Sequence, residues 1–150
     1  TRRSSDLEST TFLKFLEQGG FLEKLRDFVR AKPTFGTCAG AILLAREVDN
    51  PPQPGLGALD IAIRRNAYGR QVESFEADLA VKGLRGSFHA VFIRAPRLEA
   101  LGRGVTVLAR HDGVPVLARQ NSVMVASFHP ELGSDHRVHQ LFIDHQLRSM

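Results

Sequence analysis

One cysteine, one tyrosine and no tryptophan stand among the 150 residues. A lone thiol cannot close an internal disulfide, which excludes the disulfide-stapled secreted folds and points to a reducing compartment, with the cytoplasm as the expectation. No apolar run is long enough to cross a bilayer, and the first residues carry no secretory pattern. With so few flat polar aromatics, and with phenylalanines at core-like spacings, the chain offers no platform on which bases would stack. The net charge of +4 does not reverse that reading, because the basic residues are scattered and their densest pairs are Arg2-Arg3 and Arg64-Arg65. What remains is an ordinary globular composition, 43% hydrophobic, long enough for one domain with a core of its own.

Periodicity divides the chain unevenly. Glu8 to Leu16 reads as a helix broken by Gly19-Gly20. Phe21 to Ala31 reads as a second, with Leu22, Leu25, Phe28 and Val29 on its inner face. Thr34 to Gly36 is a short strand, and Ala39 to Val48 a buried helix. Asp49 to Gly57, with three prolines and two glycines, is a loop. Strands follow. Leu59, Ile61 and Ile63 alternate with polar or small neighbours, Phe88 to Ile93 is apolar, and Val105–Ala109 and Val114–Ala118 flank the hairpin signal Asp112-Gly113. Val123 to Phe128 is an interior strand. A final helix is capped by Ser134 or Asp135 and turns Val138, Leu141, Phe142 and Leu147 inward. No repeat and no domain boundary is visible, so residues 1–150 are expected to form a single domain.

The cysteine sits in Gly36-Thr37-Cys38-Ala39-Gly40, between a strand and a helix. Small neighbours on a sharp strand-to-helix turn let a nucleophile project from the apex, and the following helix end favours thiolate. Such a thiol needs an imidazole to hold its proton, and the imidazole needs an acceptor to fix its tautomer. Ser127-Phe128-His129-Pro130-Glu131 supplies both after an interior strand, at the sheet end where α/β folds present their chemistry. An extended backbone there would send His129 and Glu131 to the same side. His136 and His139, three apart beside Asp135, lack further ligands at convincing spacing, so no metal site is expected.

These segments resemble class I, triad-type glutamine amidotransferases, and more closely the glutaminase subunits of pyridoxal 5′-phosphate synthase. The resemblance rests on Phe-Gly-Thr-Cys-Ala-Gly at 35–40 and Ser-Phe-His-Pro-Glu-Leu at 127–132. It extends to Glu8-Ser9-Thr10-Thr11, Arg65-Asn66-Ala67-Tyr68-Gly69-Arg70-Gln71, Ser74-Phe75-Glu76-Ala77-Asp78, Val91-Phe92-Ile93-Arg94-Ala95-Pro96 and Asp135-His136-Arg137-Val138-His139.

The resemblance implies a three-layer α/β/α sandwich and the hydrolysis of L-glutamine to glutamate and ammonia. The ammonia is passed to a partner synthase subunit, and no cofactor takes part. It implies Cys38 as nucleophile, His129 as proton shuttle and Glu131 as its orienter. Glu8, Ser9, Arg65, Ile93 and Arg94 are the implied substrate contacts. The backbone N–H of Ala39 is one oxyanion donor. The second comes in this family from a Gly-Gly turn, which here reads Asp6-Leu7, so Leu7 takes that place and weaker activity is expected. The polar stretch Thr1–Asp6 resembles nothing in the family's opening portion. A shortened start is the expectation, and with it an exposed sheet edge. The competing reading is a degenerate subunit that mainly binds the synthase.

Overall fold

A computed structural model describes residues 20–49, 55–65 and 74–148. The helix expected over Glu8–Leu16 lies outside these residues, as do Leu7, Glu8 and Ser9. The described chain runs α1 (Phe21–Ala31), β1 (Thr34–Thr37), α2 (Ala39–Leu44), β2 (Ala45–Asp49), β3 (Leu59–Arg64), β4 (Ser74–Ala80), β5 (Ser87–Ile93), β6 (Arg97–Ala100), β7 (Thr106–His111), β8 (Val114–Gln120), β9 (Val123–Ala126) and α3 (Arg137–Arg148).

Three sheets result, in the orders β1-β9-β8-β7, β2-β3-β6 and β4-β5. The pairing of β1 with β9 is parallel, Thr34 opposite Val123 through Thr37 opposite Ala126, so their C-terminal ends lie side by side. Strand β9 explains the layering. Its side chains alternate between two cores. Val123 and Val125 join a cluster with α2, β2 and β3. Met124, Ala126 and, just beyond the strand, Phe128 join a second cluster with β4, β5, Val138 and Leu141. A strand buried on both faces reads as a continuous apolar run, which is what Val123–Ala126 is.

The β7–β8 hairpin turns at Asp112 and Gly113, both at positive φ (50° and 80°), the conformation that an Asp-Gly pair in a two-residue turn provides. On the β4–β5 hairpin His89 bridges Glu76 and Asp78 across the strands, with its pKa raised first by the hydrogen bond to Glu76 and then by that to Asp78.

Three expectations need correction here. The helix after Cys38 stops at Leu44, and Ala45–Asp49 is a strand paired in parallel with β3. The carbonyls of Leu43, Leu44 and Ala45 accept the N–H groups of Leu56, Ala58 and Gly57, so the incoming loop takes the acceptors that a longer helix would use. Gly55 lies so close that a Cβ there would stand 2.1 Å from the Ala45 carbonyl oxygen. Phe28 is 54% exposed and Leu147 63%, so the inner stripes of α1 and α3 are narrower than their apolar patterns suggest. Strands β4 and β6 were not expected, although Phe75, Ala77 and Leu79 alternate with polar or small residues along β4.

Candidate active site

The parallel β1–β9 pair sets the site. Pairing continues one residue past β1, where the Cys38 N–H donates to the Ala126 carbonyl at 2.9 Å. The chain then turns into α2. The turn demands φ 49°, ψ −105° at Cys38, a conformation that L-residues rarely adopt and that costs about 1–3 kcal/mol. Packing maintains it. Ile42 N–H bonds the Cys38 carbonyl at 3.1 Å, and Ala41, Ile42, Leu43 and Leu44 are buried behind it.

Gly36 is the residue that lets strand and helix approach, since a Cβ there would come within 2.6 Å of Leu44 Cδ1 and 2.9 Å of the Gly40 carbonyl atoms. Gly40 itself has open space at its Cβ position, so the second glycine of the motif is not a packing requirement. Ala39 opens the helix, ahead of its first internal hydrogen bond, and its N–H is one of the donors a helix start leaves for other partners.

His129 reaches the cysteine from the neighbouring strand end. Ser127 N–H donates to Val116 O at 3.0 Å and His129 N–H to Val91 O at 2.9 Å, which fixes the backbone between β8 and β5. Cys38 acts on the imidazole and is the largest cause of its raised pKa. The ring Nδ1 stands 2.7 Å from Glu131 Oε2, which leaves Nε2 as the ring nitrogen available to the thiol. The His129 and Glu131 side chains do not meet along an extended strand. The chain turns at Pro130-Glu131, with Leu132 N–H bonding His129 O at 3.2 Å, and the carboxylate folds back onto the ring. The His129 pKa is raised to about 9, chiefly by the hydrogen bond to Cys38, with Glu131 adding to it and partial burial opposing both. The ring is therefore protonated at neutral pH, poised to give a proton to a leaving group.

Cys38 is 4% exposed, and its sulfur lies 3.9 Å from the Ile93 carbonyl oxygen at the end of β5. The next residue, Arg94, is exposed and held at φ 47°, a second strained backbone beside the thiol. Arg65 follows β3, with its N–H bonded to Asp49 O at 3.0 Å and its side chain 1% exposed, whereas its neighbour Arg64 is on the surface. Thus Cys38, His129, Glu131 and Ile93 are brought together, with Ala39 and Arg94 adjacent to them in the chain. Leu7, Glu8 and Ser9 belong to the residues not described. The β5 carbonyls of Val91 and Ile93 carry no side-chain signature, and for that reason sequence reasoning missed the anchoring of His129.

Two surface grooves, of about 530 and 240 Å³, both border Asn121 and Ser122 at the start of β9, so they open at the end opposite His129. His136 and His139 have ring centroids 6.4 Å apart, and among the described residues no group of three or more His, Cys, Asp or Glu is arranged to hold a metal ion. Among those residues no helix is long and apolar enough to cross a membrane.

The profile of the SNO glutamine amidotransferase family matches residues 6–148. The pyridoxal 5′-phosphate synthase subunit PdxT of Koribacter versatilis is 59% identical over 138 residues, which span 91% of this chain and 70% of that protein. The subunit of the same name from a strain of Thermus thermophilus is 56% identical over 140 residues, 91% of this chain and 73% of that one. A solved crystal structure of a glutamine amidotransferase superposes with a TM-score of 0.82 at 53% identity, covering 91% of this chain and 73% of the other.

Proposed function

This chain belongs to the SNO glutamine amidotransferase family, with its class I α/β fold, and from that premise we propose how its residues carry out the glutaminase reaction. The activity is that of the glutaminase subunit of pyridoxal 5′-phosphate synthase, in line with the amidotransferase family and with relatives named as subunits of that synthase. Cys38 Sγ, its proton passed to His129, attacks the side-chain amide carbon of L-glutamine. The tetrahedral oxygen develops negative charge, and the Ala39 N–H at the start of α2 is the proposed donor to it. His129, protonated and directed at the sulfur, gives its proton to the departing nitrogen, and ammonia leaves a glutamyl thioester on Cys38. Water, deprotonated by the now neutral His129, attacks the thioester carbon and releases glutamate and the free thiol. Glu131 holds the ring by Nδ1 through both steps.

Ammonia is a small nucleophile that water protonates, so its product value depends on a docked synthase that takes it up directly, in the cytoplasm. Arg65 and Arg94 are the proposed contacts for the substrate α-carboxylate, for which a guanidinium supplies a two-pronged charge-assisted pair. Glu8 and Ser9 are proposed as further substrate contacts and Leu7 N–H as the second oxyanion donor, on the resemblance alone.

The observation that supports this assignment is the convergence of the thiol, the imidazole and its carboxylate partner at two adjacent parallel strand ends, with Cys38 the largest cause of the raised His129 pKa. The test is glutamate release from L-glutamine by the chain mixed with the synthase subunit, for the parent and for Cys38→Ala. Turnover in the parent and none in the variant is expected. Equal rates in the two would refute the assignment, and absence of turnover in both would favour a subunit that only docks.

A further inference from the structure

Glu131 is the least secured member of the row. It is about half exposed, and Leu132, Gly133 and Ser134 after it are exposed as well. The segment 129–137 nevertheless runs alongside β5, in the direction opposite to that strand, and is fastened to that hairpin at both ends. At the first end His129 N–H bonds Val91 O. At the second end stands Arg137, the first residue of α3. Its Nη1 donates to Arg85 O at 2.7 Å, in the turn that precedes β5, and its Nη2 to Ser87 O at 2.8 Å, the first residue of the strand. The same guanidinium grips Asp135, Nη2 to Oδ2 at 2.7 Å and Nε to Oδ1 at 3.0 Å. Asp135 in turn accepts the Arg137 N–H at 3.0 Å.

We propose that Arg137 is a positioning residue for catalysis: by clamping Asp135 to the β5 end of the hairpin it holds the His129–Arg137 loop at the length that keeps Glu131 on the His129 ring. The proposal deepens the reading given above and rests on it. Three facts favour it over a purely local structural role. The fork serves two backbone carbonyls and a carboxylate at once, a planar pattern that lysine cannot reproduce. The carbonyls belong to the hairpin whose strand β5 also presents Val91 O to His129 and Ile93 O to the Cys38 sulfur, so clamp, base and nucleophile share one reference strand. And Glu131 lies between the two fastenings, so its carboxylate is placed by both.

The test uses the single cysteine of the chain. In this chain Cys38 is the one thiol that iodoacetamide can alkylate, mass spectrometry of the Cys38 peptide reads the product, and the rate at pH 7 reports the sulfur–imidazole–carboxylate row without needing turnover. Rates are measured for the full chain with its synthase subunit, for Arg137→Gln, Glu131→Gln and the double variant. Arg137→Gln is expected to slow alkylation by roughly tenfold, within the range that small misplacements of reacting groups produce, and Arg137→Lys to follow it. In the Glu131→Gln background the same change is expected to cost less than about twofold, because the group through which Arg137 acts is already gone.

An alkylation rate for Arg137→Gln equal to the parent's overturns the proposal. So does full recovery by Arg137→Lys, or an equal slowing in both backgrounds. If circular dichroism shows Arg137→Gln unfolded, Asp135→Ala, which removes the other half of the grip, is judged by the same two criteria. Glutamate release by the parent is recorded alongside: its absence would defeat the glutaminase assignment, while the alkylation cycle still decides the clamp.

Discussion

Gly36→Ala is the sharpest probe of the turn that presents Cys38. The added methyl would lie 2.6 Å from Leu44 Cδ1 and 2.9 Å from the carbonyl carbon and oxygen of Gly40, where ordinary contact begins near 3.4 Å. Leu44 can rotate its terminal methyl, although it is 3% exposed and closely surrounded. The Gly40 backbone cannot yield alone, because it belongs to the first turn of α2. That turn must move by roughly 0.5 Å to restore contact, and Cys38 sits at its start. Overpacking of this kind costs about 1–3 kcal/mol. For a chain of this size each kcal/mol lowers Tm by roughly 2–4 °C, so a fall of several degrees is expected in a thermal melt.

Activity should suffer more than stability, since small displacements of reacting groups cost up to about a hundredfold. Gly40→Ala is the matched control. Its Cβ meets nothing within 4 Å, and the exchange in a helix is expected to be neutral or stabilising by up to about 1 kcal/mol. Equal melting temperatures for Gly36→Ala and the parent, or a larger loss for Gly40→Ala, would show that the packing argument for the turn is wrong.

Further outcomes follow from the same geometry. The His129 ring is charged until its raised pKa of about 9, so glutamate release should decline as pH passes that value. In Glu131→Gln one support of the charged ring is removed, and the alkaline limb should move down towards the ordinary histidine range; a limb that stays in place refutes the role of Glu131. The same shift makes a stability statement. Histidine is raised from 6.5 on folding, so its contribution is fully present below 6.5 and is lost as pH rises through about 9. Denaturant melts of the parent should therefore weaken across that window more than those of His129→Gln, and equal slopes would count against it. Arg94→Lys keeps the charge but loses the fork, so KM for glutamine should rise by roughly tenfold, the worth of one charge-assisted hydrogen bond, with kcat little changed; an unchanged KM removes Arg94 from the substrate site.

The sequence was most readable where local chemistry and tertiary demand agree. Asp112-Gly113 names its turn because both residues must take positive φ. Leu59, Ile61 and Ile63 announce β3 by alternation, and all three are buried. Cys38 could be singled out because it is the one cysteine and sits in a turn-like setting, and His129 and Glu131 because they follow an apolar strand at its end. Reading failed where an apolar segment is decided by its partner. Ala39–Val48 looks like one helix, yet the loop over 55–58 captures the carbonyls at Leu43–Ala45 and forces a strand. It failed again at Phe28 and Leu147, whose helical phase is apolar although both remain more than half exposed.

What was invisible in the residues is also what holds the site. Two parallel strand ends can bring a thiol and an imidazole to one edge, but register fixes only their neighbourhood, not their contact. The contact depends on β5, an element of the other hairpin, whose backbone meets His129 through Val91 O and the sulfur through Ile93 O. Main-chain carbonyls are the same for every residue, so no substitution pattern at 91 or 93 would announce them. This has a consequence for mutagenesis. Side-chain changes at Val91 should disturb chemistry only through packing, whereas changes that bend β5 should act on the nucleophile and the base together. Proline at Val91 tests this. Val91 stands opposite Glu76, and its N–H lies on the same side as its carbonyl, towards His129; proline there removes that N–H and fixes φ, which bends β5, while the Val91 carbonyl survives. Glutamate release and Cys38 alkylation are therefore expected to fall in parallel. A variant that remained folded and lost one without the other would show that base and nucleophile are positioned separately.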